Sequence, residues 1–122
     1  MDSITDRRIV VDGITYDVFV VPDEDARITD YDPEVYDDAD RAAYRDTWEY
    51  VGVIVRPVFD GDPVEAAEIS LWAVEYGTSP GFSQDQDMEY YLSSHPVPDM
   101  ITEVRGRLAG IAEQITRALA GK

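Results

Sequence analysis

Asp12-Gly13 separates two short runs, residues 7–11 and 14–21, rich in β-branched residues. An Asp-Gly pair accepts positive φ at both central positions of a type I′ turn, so this spacing predicts a β-hairpin. A two-residue turn also fixes the register. Val11 faces Ile14, Ile9 faces Tyr16 and Arg7 faces Val18 on one side, while Val10 faces Thr15 and Arg8 faces Asp17 on the other. One side is apolar and the other carries an opposite-charge pair.

The same punctuation returns at Asp60-Gly61-Asp62-Pro63, between residues 48–59 and 68–76, both rich in aromatic and β-branched types. A second hairpin is expected there. In its first strand Val51, Val53 and Val55 lie on one side and Trp48, Tyr50 and Ile54 on the other, a pattern for a strand covered on both faces. Pro57 cannot donate to a ladder and belongs at an edge or a strand end.

Period 2 gives way to spacings of three and four near the C-terminus, where Met100, Ile101, Val104, Leu108, Ile111, Ile115 and Leu119 form one stripe. An amphipathic helix is expected from Pro98-Asp99 to just before Gly121. Gly106 and Gly110 share one face and mark either close approach to a strand or tolerance. The opposite face carries Arg105, Arg107, Glu113, Gln114 and Arg117, which excludes a membrane reading of that small-residue pair.

Between the hairpins, Pro22 opens a loop and Asp32-Pro33-Glu34 reads as a helix start, with Asp32 as N-cap and Pro33 at the first helical position. The helix would run to about Thr47, with Val35, Tyr36, Ala39, Ala43 and Tyr44 inward; Asp37, Asp38 and Asp40 weaken it, and a partly irregular loop is the equal alternative. Residues 77–84 form a loop, and residues 85–94 a short helix stopped by His95-Pro96. The chain, residues 1–122, is therefore expected to be a single α+β domain: an antiparallel sheet of about four strands in two hairpins, covered on one face by the long C-terminal helix.

Charge limits what such a domain can bind. The chain holds 26 Asp and Glu against 10 Lys and Arg, a net −16 on 122 residues. A protein this acidic is repelled by nucleic acid and by anionic membranes, so direct binding to either is excluded and the expected partner is a basic protein. The densest run supplies the candidate partner-binding residues Asp23, Glu24, Asp25, Asp30, Asp32, Glu34, Asp37, Asp38 and Asp40. Salt adaptation and solubility account for the same composition without any partner. The absence of Cys removes disulfides and thiolate chemistry, and no leader or apolar run of membrane length is evident, so a soluble cytoplasmic protein is expected.

No catalytic set emerges. His95 is the only histidine and lacks a metal-ligand spacing. Residues 30–34 begin like a calcium loop, but Val35 stands where glycine is required and Arg41 where the final glutamate should be. Asp85, Asp87 and Glu89 alternate, yet on a helix they would not converge on one ion. Ser93 and Ser94 lack a nucleophile elbow, and residues 77–81 lack the lysine of a phosphate loop. The expectation is no enzyme, no cofactor and no metal.

Residues 50–55 (YVGVIV), followed after a turn by residues 69–77 (ISLWAVEYG) and a C-terminal helix, resemble small acidic proteins of bacteriophages and mobile elements from GC-rich bacteria. The likeness covers the second half of the chain and implies a phage or mobile-element setting, where such proteins act on host machinery; it supplies no catalytic residue and leaves the acidic run outside it. Two functions follow as expectations. One is an acidic binding protein, in effect a DNA-mimic inhibitor, that presents carboxylates to a basic, nucleic-acid-binding partner. The other is a small accessory or assembly protein that binds through apolar helix or sheet-edge surface. Both are compatible with a homo-oligomer.

Overall fold

The computed structural model describes residues 3–28 and 34–121. Strands β1 (Thr5–Val11) and β2 (Ile14–Pro22) form the first hairpin in the register expected, Val11 opposite Ile14 and Arg8 opposite Asp17. Asp12 and Gly13 both have positive φ, 51° and 82°, as a type I′ turn requires. Helix α1 (Asp38–Ala43) follows, then β3 (Trp48–Phe59), a two-residue β4 (Asp62–Pro63), β5 (Ile69–Gly77), α2 (Met88–Ser93) and α3 (Val97–Ala120). The fold is mixed α+β. Its five-stranded antiparallel sheet has the order β1, β2, β3, with β4 and β5 both paired to the far side of β3.

The second hairpin differs from the simple one expected. Asp60 and Gly61 make the turn with φ 52° and 82°, but the returning chain pairs for only two residues. It then detours through a 3₁₀ turn (Glu65–Ala67) before rejoining β3 as β5. Pro57 sits near the end of β3, where its carbonyl accepts from Val64 N–H at 2.9 Å. Opposite Gly52 the pairing slips: Val51 faces Val74 and Val53 faces Leu71, so Trp72 and Ala73 together oppose one residue. This bulge holds Ala73 at φ 58° and lays the Trp72 ring over Gly52, where a Cβ would collide with it.

Both faces of β3 are covered, as the sequence pattern demands. On one face Val18, Val20, Val51, Val53, Val55 and Ile69 pack against Tyr91 of α2 and Val97, Met100, Ile101 and Val104 of α3. Each such fully buried aliphatic side chain contributes about 1.5–3 kcal/mol. On the other face Trp48 and Tyr50 carry a second, aromatic cluster with Tyr36 and Ala26, packed against Tyr44 and Phe82.

The helix between the hairpins is shorter than Asp32-Pro33-Glu34 suggested. Asp32 and Pro33 lie outside the described residues, residues 34–36 form a turn and bend, and the N-cap is Asp37. Asp37 Oδ1 accepts from Asp40 N–H at 2.8 Å and Asp40 Oδ2 from Asp37 N–H at 3.3 Å, a reciprocal capping box. Val35 and Ala39 point to solvent and only Tyr36 is buried. Asp85 also falls outside the helix expected there, since α2 starts at Met88 with Asp87 as cap.

Helix α3 matches its expected span, with Gly121 as C-cap, yet its stripe is not all core. Val97, Met100, Ile101 and Val104 are buried, Leu108 and Ile111 are half-buried, and Ile115 and Leu119 are exposed at 54% and 70%. A Cβ at Gly106 or Gly110 would meet nothing within 4 Å, so neither glycine serves a close approach. Two substitutions separate these environments. Met100→Ala should lower stability by about 2–5 kcal/mol, whereas Leu119→Ala should stay within about 0.5 kcal/mol. Gly13→Val should cost about 1–2 kcal/mol through backbone strain alone, because its surroundings are open. Thermal and urea melts measure all three.

Candidate partner surface

The described parts of the acidic run, residues 23–28 and 34–46, lie at one end of the sheet face opposite α3, held there by the aromatic cluster. Trp48 stacks on Tyr36 at 5.3 Å between centroids and meets Tyr44, Tyr50 and Phe82 edge-on or tilted at 5.1, 5.2 and 5.3 Å. Its indole N–H donates to the Asp40 carbonyl at 2.8 Å. Tyr36 O–H donates to Glu75 at 3.0 Å, and burial together with that carboxylate pushes the Tyr36 phenol well above its usual range.

Three of the nine candidate acids serve the fold. Asp40 is the largest departure from the expected exposed patch. It is 5% exposed. It accepts from the Ser79 hydroxyl, from Gly81 N–H at 2.8 Å and from Asp37 N–H. A carboxylate surrounded by donors is stabilised in its charged form, and the Ser79 hydrogen bond, opposed by burial and aided by the two backbone donors, holds the Asp40 carboxyl below the usual range. Asp23 is half-buried. One of its oxygens accepts from Asp25 and Ala26 N–H at 3.2 and 3.1 Å, and the other reaches Ala73 N–H at 2.9 Å, satisfying the bulge in β5. Asp37 is the α1 cap. Substituting Asp37, Asp38 and Asp40 together would therefore unfasten α1 as well as discharge a surface.

Glu24, Asp25, Glu34 and Asp38 are exposed, and Asp30 and Asp32 lie outside the described residues. Asp46, in the turn after α1, adds another exposed acid. The structure also assembles what spacing did not suggest: a cleft of about 350 Å³ with Tyr44 and Tyr50 in its lining, Glu24 and Glu49 contributing carboxylates, and Arg45 beside them. Arg45 places its guanidinium 5.5 Å from the Tyr44 ring centroid. Glu49 was hidden in the sequence as an ordinary strand residue, and only the return of the Pro22–Glu24 corner beside it makes the site.

Basic side chains elsewhere are mostly engaged. Arg7, Arg8, Arg56 and Arg105 pair with Glu89, Asp17, Glu68 and Asp12, each at 2.7 Å, and Arg117 pairs with Glu113 at 2.6 Å. The acid excess is thus left at the surface. The Arg8 hydrogen bond also holds the Asp17 carboxyl below its usual range. His95 is exposed in the loop between α2 and α3, 3.7 Å from Asp99. Among the described residues no group of three or more His, Asp and Glu is placed to hold a metal ion, and no helix is long and apolar enough to cross a membrane.

Asp40 makes acid sensitivity predictable in sign. A carboxyl whose pKa is depressed by folding contributes stability that is complete above its unfolded value, about 3.9, and is lost as pH falls through the depressed folded value. Asp40→Ala should cost about 1–3 kcal/mol near neutrality by leaving Ser79 and Gly81 without their acceptor, and should flatten the loss of stability below about pH 4. Chemical denaturation from pH 7 to 2 reads both effects.

No protein-family model matches the chain, and neither the curated proteins nor the solved structures give a match.

Proposed function

We propose that the protein binds a basic partner protein through its acidic end, with the Glu24–Glu49 cleft receiving a lysine or arginine side chain. The cleft carries this reading. Glu24 and Glu49 line it with Tyr44 and Tyr50, and an incoming cation would gain ion pairing from the two acids, while Arg45, 5.5 Å from the Tyr44 ring centroid, already uses that ring as a cation does. The exposed Asp25, Asp38 and Asp46 extend the negative field around it. Duplex DNA carries about one charge per 1.7 Å of axis, and carboxylates at this density on a packed scaffold compete with DNA for a nucleic-acid-binding surface. The protein then acts as a DNA-mimic-like inhibitor. A phage or mobile-element origin, implied by the resemblance of residues 50–55 and 69–77, fits an inhibitor directed at host machinery.

The test uses three exposed acids and the half-buried Glu49, and spares Asp23, Asp37 and Asp40, which the fold requires. Glu24→Gln, Asp25→Asn, Asp38→Asn and Glu49→Gln combined should weaken binding to a partner captured from lysate and then purified by at least about tenfold, or ~1.4 kcal/mol. The melt should be unchanged or slightly raised as like-charge repulsion falls. Wild-type affinity should drop between 50 and 200 mM salt, and duplex DNA should displace the complex. A partner indifferent to salt, to the four substitutions and to bound DNA rules this function out.

A further inference from the structure

Among the described residues, Arg45 is the only cation lining the Glu24–Glu49 cleft, and its backbone is unusual. Its φ is 71°, in the left-handed region that a long L side chain seldom enters and that glycine or asparagine fills more readily. The turn after α1 imposes this conformation. The Ala43 carbonyl accepts from Asp46 and Thr47 N–H at 2.9 and 3.0 Å, and Arg45 N–H donates to the Trp48 carbonyl at 2.5 Å, so the chain is held on both sides of the residue. A side chain kept on a sparsely populated backbone beside a cleft points to a role in that cleft.

The guanidinium lies 5.5 Å from the Tyr44 ring centroid. That ring is a fixed seat, because Tyr44 O–H donates to the Ala26 carbonyl at 3.3 Å and the ring packs edge-on against Trp48. Among the described residues Arg45 has no ion pair, unlike the five paired arginines, and the side chains of Glu24 and Glu49 have neither an ion pair nor a hydrogen bond. The cleft therefore holds two unengaged carboxylates, while its one cation sits on a ring that an incoming cation would use.

Resting on the function proposed above, we propose that Arg45 is the cleft's own occupant: its guanidinium holds the Tyr44 ring face in the free protein, and a lysine or arginine side chain of the basic partner enters by displacing it. A second cation on the same ring face would meet the like charge of Arg45 within a space of about 350 Å³, so the two exclude each other. Arg45 is exposed, and its guanidinium can swing into water without disturbing the core. It thus sets a threshold: a partner's cation must gain more from Glu24, Glu49 and Tyr44 than Arg45 gains from the ring.

The probe is Nα-acetyl-argininamide, a single blocked arginine, titrated into the full chain at constant ionic strength. NMR follows the Tyr44 and Tyr50 rings and the Arg45 side chain. In the free protein the Arg45 side-chain protons should be shifted upfield by the Tyr44 ring, and the probe should return them to the values of an exposed arginine. Arg45→Gly and Arg45→Asn suit a left-handed φ and remove the competitor, so each should bind the probe at least about fivefold more tightly. Arg27→Asn removes the same charge from an exposed site outside the cleft and should change affinity by less than about twofold. Glu24→Gln with Glu49→Gln should abolish the ring shifts. Ring shifts that survive this pair, or that are absent from wild type and both Arg45 variants, remove the cleft reading and this inference together. Displacement alone is overturned if the shifts depend on Glu24 and Glu49 but the Arg45 variants gain no affinity, or if the Arg45 protons stay unmoved at saturation. An Arg27 variant that gains as much as the Arg45 variants assigns the effect to net charge and also overturns it.

Discussion

A strand that is apolar on both sides cannot stay half-covered, and β3 is such a strand. Its Val51, Val53 and Val55 side is closed by α2 and α3, and its Trp48 and Tyr50 side by Ala26, Tyr36, Ala43 and Tyr44 of the acidic segment together with Phe82. The second cover is the unusual one, because the segment is acidic and short of aliphatic residues. It is retained by stacked aromatic rings and by carboxylates that accept backbone and hydroxyl hydrogens. Asp40 joins the parts: its side chain ties α1 to the Ser79–Gly81 loop, and its carbonyl accepts from Trp48.

The acidic residues therefore do two kinds of work. Asp23, Asp37 and Asp40 are used up in satisfying N–H and O–H donors, which fixes the backbone that carries their neighbours. Glu24, Asp25, Asp38 and Asp46 stay in water on that fixed backbone. Charges held on a packed scaffold lose less conformational freedom on meeting a partner than charges on a loose tail. Because most arginines are already paired, the field of these acids is left uncompensated.

Covering β3 does not cover the whole sheet. The acidic segment reaches only one end of its face, and α3 outlasts the face it packs on, so apolar surface remains at Trp72 and at Leu119.

Local rules carried much of this fold. The Asp12-Gly13 turn set the β1–β2 register residue by residue, since a period of two leaves no intermediate alignment, and the three-four spacing from Met100 onward set the span of α3. The two-sided character of β3 was equally legible in its unbroken apolar run. What only the tertiary structure decided is where charge and stripe end up. A sequence run of aspartates looks uniform, but whether Asp40 is a surface charge or a buried acceptor depends on Ser79 and Gly81, 39 and 41 residues away. The Asp37-x-x-Asp40 capping spacing was the one local hint. Likewise, periodicity cannot tell that Ile115 and Leu119 run past the sheet, because a helix keeps its stripe whether or not anything lies beneath it. The cleft between Glu24 and Glu49 depends on two corners brought together by packing, a relation between distant segments that no local spacing encodes.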